Sequence, residues 1–352
     1  MKTNFVKLRW LFTMLLFVTT MIMPTMMLAK SIDLKIPEGD GAGTPYKIGT
    51  AEELYWFAGL VNGTLPGVKK DLSANAILTD DIIVNTGVLD PNKDLVSGND
   101  FIEWIPIGKS SSDDDAYTGT FDGNGHTISG LYFNKSNSWY VGLFGCIGAE
   151  GKISNVGVSD SYFQSSNCPY IGGVCGSNSG ELQNCSNSST VIGKENEYRI
   201  GGVSGYNYGG TIKSCYNTAS VSGQYSVGGV CGDNYEGPIT NCYYLSGTVA
   251  DGKGGIGGKD DENGKAVEMS KDRFKSGEVA WLLNGSKSVS TEESTLAWYQ
   301  KLGENADAYP VLTSTGDNTV YGGYQHGSRV RFFSNTVQHS TGECKLNCVK
   351  LQ

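Results

Sequence analysis

Histidine is scarce in this sequence, and two well-known site motifs are missing from it. The 352 residues include 3 histidines, His126, His326 and His339, and contain neither H-E-x-x-H nor C-x-x-C. These absences argue against a zinc hydrolase of the H-E-x-x-H type and against a thioredoxin-like redox site. His126 lies in the turn-like stretch FDGNGHTI, and the other two lie in an unpatterned carboxyl-terminal region. The sequence therefore predicts no catalytic residue, no metal site and no cofactor.

Positive charge is also scarce. The chain has 27 Lys and Arg against 36 Asp and Glu, which gives a net charge of −9, and no basic stripe is interleaved with aromatic residues. Nucleic acid is therefore not an expected partner. After the amino-terminal segment no second run of about 18 apolar residues occurs. We expect no transmembrane span once that segment has been removed.

The amino-terminal segment has the pattern of a secretory signal peptide. Basic residues precede an apolar run from Trp10 to Leu28, and Ala29 follows the run. A retained anchor helix is the alternative, but Pro24 interrupts the run and Ala29 suits cleavage. We therefore predict that residues 1–29 are removed and that the protein is secreted or exposed at the cell surface.

Glycine and tyrosine are abundant. The chain has 49 Gly, 19 Tyr, 12 Phe and 6 Trp. Glycine is used about twice as often as in ordinary globular proteins. The aromatic content is too high for a disordered chain. This composition indicates many tight turns that join short strands.

A repeat of 27 to 30 residues runs through the middle of the chain. Two aliphatic columns recur in it: Val141, Ile171, Ile200 and Val227, then Ile153, Leu182, Ile212 and Ile239. A unit of this size cannot bury its own apolar face, so it must stack on its neighbours. We predict an all-β fold, a right-handed parallel β-helix, in which each coil adds about 4.8 Å of height. The stretch from Asp71 to Gly255 has room for six or seven coils.

Two further columns, one of amides and one of thiols, support this stacking. Side-chain amides one coil apart can form a hydrogen-bonded ladder. Val156 shares its column with three cysteines, so that column accepts small apolar side chains and favours buried thiols over disulfides. The predicted ladder residues are Asn178, Asn207 and Asn234 for the amides and Cys185, Cys215 and Cys242 for the thiols.

The other cysteines and the glycine motif leave questions open. Cys175 and Cys231 would lie two coils apart, about 9.6 Å, which is too far for a disulfide because bridging fails beyond about 7 Å between Cα atoms. Cys344 and Cys348 are close enough in sequence to pair in the tail. A bend or bulge must fall within YIGGVCG, so the sequence does not decide whether Val174 or Cys175 points inward.

The repeats resemble a known family. VGGVCGDNYEGPITNCYY, together with the preceding TGTFDGNGHTISGLYF, is similar to the GLUG-motif repeats of secreted and cell-surface bacterial proteins, and the flanking segments resemble the same group in gut Bacteroidetes. The resemblance extends from Pro45 to Leu312. It implies the solenoid architecture, but it implies no particular activity, because such repeats occur in adhesin-like proteins and beside protease modules alike.

The two ends of the repeat region carry helix signals. Thr50 and Glu53 form a capping box before a short apolar helix that ends at Gly63. Ser270 can cap a second helix that ends at Gly285. Such caps would cover unpaired strand edges. We divide the chain into a signal peptide (1–29), an amino-terminal cap with a short helix (30–70), a parallel β-helix (71–255, with repeats at about 140–245), a carboxyl-terminal capping segment (256–322) and an unpatterned tail (323–352).

Two acidic clusters deserve comparison with catalytic carboxylates, because parallel β-helices host carbohydrate-active enzymes. Both lie in loops rich in Gly, Ser and Lys, which indicates solvated acidic loops. The second cluster does not fit an EF-hand, because Lys259 stands where the first carboxylate is needed. The clusters are Asp113, Asp114 and Asp115, and Asp260, Asp261 and Glu262.

Tyrosine columns are the best candidates for a functional surface. Stacked coils would turn them into flat aromatic stripes that suit sugar stacking or protein contact. The sequence thus predicts a non-enzymatic, adhesin-like protein that binds a glycan or an extracellular protein. A carbohydrate-active lyase or glycoside hydrolase, or the targeting region of a protease-containing system, is the alternative. The predicted binding residues are Tyr206, Tyr208, Tyr216, Tyr235 and Tyr243.

Overall fold

The chain winds into a parallel β-solenoid of about seven turns, as the repeats predict. The structure, a computed structural model, describes residue 30 and residues 32–98, 100–112, 114–167, 170–194, 199–250, 253–257, 265–288, 295–326 and 329–334. The predicted signal peptide, Asp113, the acidic cluster at 260–262, His339, Cys344 and Cys348 lie outside the described residues.

Two long sheets form two faces of the solenoid. Sheet 1 has seven strands, Tyr46–Ile48, Ala76–Leu78, Thr120–Asp122, Lys152–Ser154, Glu181–Gln183, Thr211–Lys213 and Ile239–Thr240. Sheet 2 has nine strands, Ile82–Ile83, Thr127–Ser129, Tyr132–Ser136, Gly157–Ser166, Ser186–Gly193, Tyr216–Asn217, Val221–Ser222, Cys242–Leu245 and Ala266–Met269.

Two shorter sheets complete each coil of the repeat region. Sheet 3 consists of Tyr140–Val141, Tyr170–Gly172, Arg199–Gly201 and Ser226–Gly228. Sheet 4 consists of Phe144–Ile147, Cys175–Asn178, Ser204–Tyr208 and Cys231–Tyr235. Consecutive coils pair in parallel with the predicted columns in register, so that Ile171 lies beside Ile200 and Leu182 beside Ile212. Both aliphatic columns are buried in one continuous core.

The bend inside the glycine motif lies between sheets 3 and 4. The sequence left open whether Val174 or Cys175 points inward. Both side chains point inward, because both are fully buried in the core. The chain turns a corner here, and at a corner consecutive side chains can face the same interior. Only glycine fits at position 173, because a Cβ atom there would clash with the side chain of Asn187.

The asparagine column forms a hydrogen-bonded ladder in the interior. Asn178 Nδ2 donates to Asn207 Oδ1 at 2.8 Å, and Asn207 Nδ2 donates to Asn234 Oδ1 at 2.7 Å. Asn207 also donates to the carbonyl oxygen of Gly210. A second amide pair, which the sequence analysis did not identify, joins Asn187 to Asn217 at 2.9 Å. The ladder satisfies amides that would otherwise be buried without partners.

The cysteine column lies beside a corner of left-handed backbone. Cys185, Cys215 and Cys242 are fully buried and free, and the backbone N–H of Cys185 donates to Cys215 Sγ at 3.3 Å. The residues that precede the column share a positive φ near 53°, which Asn tolerates better than most residues. They are Asn155, Asn184, Ser214 and Asn241.

The amino-terminal helix follows its predicted signals. Helix α1, Ala51–Asn62, begins after Thr50, whose hydroxyl accepts from the N–H of Glu53, and it ends at Gly63 with a φ of 65°. Glu53 accepts in turn from the N–H of Gly49 at 2.9 Å. The helix buries its apolar side chains in the solenoid core. Strand Tyr46–Ile48 already pairs with the next coil, so the sheet begins inside the segment expected to be a cap.

The carboxyl-terminal segment has two helices where the sequence predicts one. Helix α2, Lys271–Lys275, begins after Ser270, and helix α3, Glu278–Leu283, follows Gly277. Gly277 has a φ of 84°, which breaks the helix between them. Both helices pack in a second hydrophobic cluster with Tyr216, Tyr243 and Trp298.

The segment expected to be an unpatterned tail, residues 323–352, contains secondary structure where the structure describes it. Val320–His326 pairs antiparallel with Arg329–Ser334 to form a two-stranded sheet. The short alternating run RVRFFS was the available signal for the second strand. Within the described residues, none of the helices combines the length and apolarity needed to span a membrane.

Removing the middle amide of the ladder should destabilise the solenoid. Asn207→Ala leaves the amides of Asn178 and Asn234 each without one partner, and a buried unsatisfied group costs about 1–3 kcal/mol. We expect a lower midpoint of urea denaturation, measured by circular dichroism. Thr240→Ala, at an exposed side chain in the next coil, is the control and should change the midpoint little. Equal midpoints for the two variants would contradict a stabilising ladder.

The buried thiols should be unreactive in the folded protein. Burial raises the pKa of Cys215 and Cys242 well above the ordinary range, so both remain neutral thiols, whereas the thiolate is the nucleophile. We expect no labelling of either residue by a maleimide at about pH 8, half a unit below the ordinary thiol pKa, and full labelling in denaturant. Ser220→Cys, at an exposed position, supplies a control that should react in the folded state. A disulfide between Cys185 and Cys215 in non-reducing mass mapping would refute the free-thiol column.

Candidate functional site

Five tyrosines form a continuous row across sheets 3 and 4. Sheet 3 pairs Tyr140 with Tyr170 one coil away, and sheet 4 pairs Tyr208 with Tyr235. Tyr206 lies between the two pairs, with ring centroids 5.4 Å from Tyr170 and 5.8 Å from Tyr208. The paired rings are 5.0 Å and 5.4 Å apart. We call Tyr140, Tyr170, Tyr206, Tyr208 and Tyr235 the tyrosine row.

The rings of the row stack on one another and do not lie flat. The planes of Tyr140 and Tyr170 differ by 8°, and those of Tyr208 and Tyr235 by 15°. Parallel rings at this centroid distance adopt the offset-stacked arrangement, in which neighbouring faces cover each other. The row therefore presents ring edges and phenolic hydroxyls, which differs from the flat stripe expected from the sequence. Tyr208 and Tyr235 remain 55% and 51% exposed.

A groove of about 880 Å³ runs beside four tyrosines of the row, Tyr140, Tyr170, Tyr206 and Tyr208. Its volume is within the range of ligand sites, about 300–1,000 Å³. The hydroxyl groups of Ser111 and Tyr140 are 2.9 Å apart and join the far wall to the row. Small residues leave the groove open, namely Ala116, Gly148, Ala149, Ser177, Ser179 and Gly209.

The thiol and the phenolic hydroxyls in the groove lining are poor nucleophiles and bases. Burial raises the pKa of Cys146, in its lining, to about 12, so this thiol is neutral at physiological pH. Burial also raises the pKa of Tyr140 and Tyr206, which keeps their hydroxyls protonated. The lining is therefore suited to hydrogen bonding and van der Waals contact.

One cation touches the row. The guanidinium carbon of Arg199 lies 4.4 Å from the ring centroid of Tyr206 and 5.3 Å from that of Tyr170, within the range of a cation–π contact. Arg199 Nε also donates to Asp233 Oδ2 at 2.8 Å. Burial opposes the charge of Arg199, but the hydrogen bond to Asp233 and the electrostatic interactions with Asp233, Tyr170 and Tyr206 together outweigh it, so the pKa of Arg199 is raised. Arg199 and Asp233 thus form an ion pair that carries no net charge.

The prediction that Tyr216 and Tyr243 belong to an exposed binding stripe is wrong. The carboxyl-terminal segment covers both, and they are only 7% and 6% exposed. The hydroxyl of Tyr216 donates to the carbonyl oxygen of Pro310 at 2.7 Å, and its ring packs on Trp298. These tyrosines hold the segment on the solenoid.

Three residues of the site escaped the sequence analysis. Tyr140, Tyr170 and Arg199 occupy the first position of three consecutive repeats, and the structure places them in one column of sheet 3. The signal was available in the aligned repeats, where an aromatic or planar side chain immediately precedes the aliphatic position. Of the predicted binding residues, the structure brings together Tyr206, Tyr208 and Tyr235.

A second groove, of about 620 Å³, lies between sheet 2 and residues 309–313. His126 Nδ1 is 3.4 Å from Asp81 Oδ1, but the same oxygen accepts from the N–H of Thr127 at 2.8 Å and holds the turn. At the other end Asp307 accepts from the N–H of Lys301. In the part of the chain that the structure covers, no three His, Cys, Asp or Glu residues are grouped to hold a metal ion.

The remaining acidic candidate is engaged in an ion pair. Asp115 Oδ1 lies 2.6 Å from Lys70 Nζ, and the hydrogen bond from Lys70 lowers the pKa of this carboxyl. Asp114 is exposed, and its backbone carbonyl also accepts from Lys70. The described part of this cluster therefore shapes a loop and presents no pair of facing carboxylates.

Comparison with known sequences identifies one motif and two partial relatives. Halomucin from Haloquadratum walsbyi is 38% identical over 109 residues, which are 31% of this chain and 1% of halomucin. A "Putative Gly-rich membrane protein" from Evansella cellulosilytica is 33% identical over 84 residues, 24% of this chain and 9% of that protein. The chain thus spans only a small part of the curated relatives that it matches.

Among solved structures, a protein from Bacteroides ovatus named a "putative immunoglobulin A1 protease" is similar. It has 18% sequence identity, the similar region covers 80% of this chain and 95% of that one, and the TM-score is 0.47. The sequence model of the GLUG motif matches residues 196–222. The strands in this stretch run from Arg199–Gly201 to Val221–Ser222 and form one coil that includes Tyr206 and Tyr208. The chain therefore carries a GLUG motif as a coil of its parallel β-solenoid.

Proposed function

We propose that this chain is a surface-exposed, non-enzymatic binding protein and that the tyrosine row engages an extended glycan. The observation that carries the proposal is the unbroken row of five rings with a groove beside it. Tyrosine supplies a large contact area with little entropy to lose, and a hydroxyl for hydrogen bonding. The row repeats with the coils, which suits a ligand that is itself a repeating chain.

The chemistry of the row favours a glycan over a polypeptide. Neighbouring rings of the row have centroids 5.0 to 5.8 Å apart, and their hydroxyls can pair with the hydroxyls of successive sugar units. Polypeptides bind by adding a strand to a sheet edge or by placing a helix in an apolar groove. The row lies on the face of sheets 3 and 4, and the groove beside it is lined by Ser177, Ser179 and glycine.

Support for a non-enzymatic role comes from the carboxylates near the two grooves: Glu150 is exposed in the lining of the groove beside the row, but no second Asp or Glu is among the described residues of that lining, and four other carboxylates have partners. Hydrolysis or elimination on a sugar requires a positioned acid and base. Asp233 is paired with Arg199, and Asp115 with Lys70. Asp81 and Asp307 accept hydrogen bonds from the backbone N–H groups of Thr127 and Lys301.

Surface exposure is supported by the sequence and by the relatives. The amino-terminal residues have the signal-peptide pattern, which implies export. One partial relative is named a membrane protein, and halomucin shares the matched region. Secretion or attachment at the cell surface is the location that suits a glycan-binding solenoid.

Loss of the two most exposed rings should abolish binding. We expect the Tyr208→Ala, Tyr235→Ala double variant to lose signal at least tenfold on a glycan array, because it removes one end of the row. Tyr225→Ala is the matched control, since Tyr225 is also 51% exposed and lies outside the row, and it should bind like the unaltered protein. Circular dichroism should show the same fold for all three proteins. Full binding by the double variant would remove the tyrosine row as the site.

A second pair of substitutions separates hydroxyls from rings. The Tyr208→Phe, Tyr235→Phe variant keeps the stacked rings and deletes two hydroxyls, so we expect binding to weaken by about tenfold if hydrogen bonds to the ligand are made there. The effect is measured by titration calorimetry with the best ligand from the array. Unchanged affinity would show that the rings bind through their apolar surface alone.

A further inference from the structure

The charges around the tyrosine row have an arrangement that bears on which glycan it takes. Arg199 occupies the position that Tyr140 and Tyr170 hold in the two preceding coils, and Asp233 occupies the position that Tyr206 holds one coil earlier. The two charged residues therefore stand in the two columns of the row itself. Their side chains are 30% and 27% exposed, so solvent and ligands reach both.

The carboxylate of Asp233 neutralises the positive charge of Arg199. A guanidinium group that stacks on aromatic rings and keeps its N–H donors free is a strong site for carboxylates, because it binds them through two parallel hydrogen bonds. Here the carboxylate of Asp233 accepts one hydrogen bond from Nε at 2.8 Å, and its negative charge offsets that of the guanidinium group. An acidic ligand that approaches Arg199 therefore meets the carboxylate of Asp233 beside it and is repelled by that negative charge.

The negative charge of Glu150, in the groove lining, also disfavours an acidic ligand. Glu150 is exposed in the groove lining, and none of the described residues that line this groove is Lys or Arg. The whole chain carries a net charge of −9, which repels a polyanion at long range. Neutral chains do not experience this repulsion.

We infer that the tyrosine row selects uncharged polysaccharides and that Asp233 sets this selectivity by pairing with Arg199. The inference rests on the proposed glycan-binding function and adds the class of ligand to it. Asp233 acts here through Arg199, as a residue that determines specificity.

The test uses two pairs of polymers that differ mainly in charge. The probes are methyl-esterified homogalacturonan with polygalacturonate, and cellohexaose with a β-1,4-linked glucuronate hexasaccharide. Binding of the mature chain is measured by biolayer interferometry at pH 7 in low and high salt. We expect the unaltered protein to bind at least one neutral member about tenfold or more tightly than its acidic partner, the size of one charge-assisted hydrogen bond.

Asp233→Asn keeps the shape of the side chain and removes its charge. We expect this variant to bind the acidic member about tenfold more tightly than the unaltered protein does, with little change for the neutral member. High salt should erase the gain, because it screens exposed charges. Two controls separate the pair from general charge. Glu181→Gln makes the same change in net charge on sheet 1, and Arg199→Gln combined with Asp233→Asn removes the cation, so neither should gain.

The outcomes distinguish a failure of the role assigned to Asp233 from a failure of the proposed glycan binding. Three outcomes would overturn the role of Asp233 and leave the proposed glycan function standing. They are tighter binding of an acidic probe than of its neutral partner by the unaltered protein, unchanged affinity of Asp233→Asn for the acidic probe, and an equal increase of that affinity in Glu181→Gln. Binding of none of the four probes contradicts glycan binding itself, and this inference with it. A circular dichroism spectrum of the double variant at Arg199 and Asp233 that matches the spectrum of the unaltered protein confirms that its fold is intact.

Discussion

Parallel pairing of each coil with the next is the constraint on which the rest of this structure depends. Coils in register place a side chain directly over its counterpart, about 4.8 Å away. Every residue type in the repeat must therefore tolerate a neighbour of its own kind. Aliphatic residues, thiols, amides and aromatic rings all do, and they are the types that form the columns of this solenoid.

The same constraint explains how polar groups are accommodated in the interior. A single buried asparagine leaves donors and acceptors without partners, whereas a column lets each amide donate to the next. Asn178, Asn207 and Asn234 form such a chain, and its last member donates to the carbonyl oxygen of Gly237. The cysteine column needs no such relay, because each thiol behaves as a small apolar group and donates weakly to a backbone carbonyl two residues earlier.

Sequence reasoning succeeds where the repeat governs and fails where it does not. The aliphatic columns, the asparagine ladder and the exposure of Tyr208 and Tyr235 follow from alignment of the repeats, because register transmits one position to the next coil. The burial of Tyr216 depends on Trp298 and Pro310, which lie outside the repeat and more than 80 residues away in sequence. No periodicity encodes that contact. The division of the expected second helix at Gly277 is local, and its glycine was the visible signal.

Register also governs which recognition surfaces a solenoid can build. Two like charges in one column about 5 Å apart would repel by about 3 kcal/mol at an effective dielectric of about 20. A charged column is therefore costly to repeat, whereas a tyrosine column gains from each added ring. A charged residue, Arg199, stands beside the row where the column of Tyr140 and Tyr170 changes residue type. The carboxylate of Asp233, in the adjacent column, balances its charge. A neutral aromatic surface with one compensated ion pair is thus the arrangement that stacking itself favours.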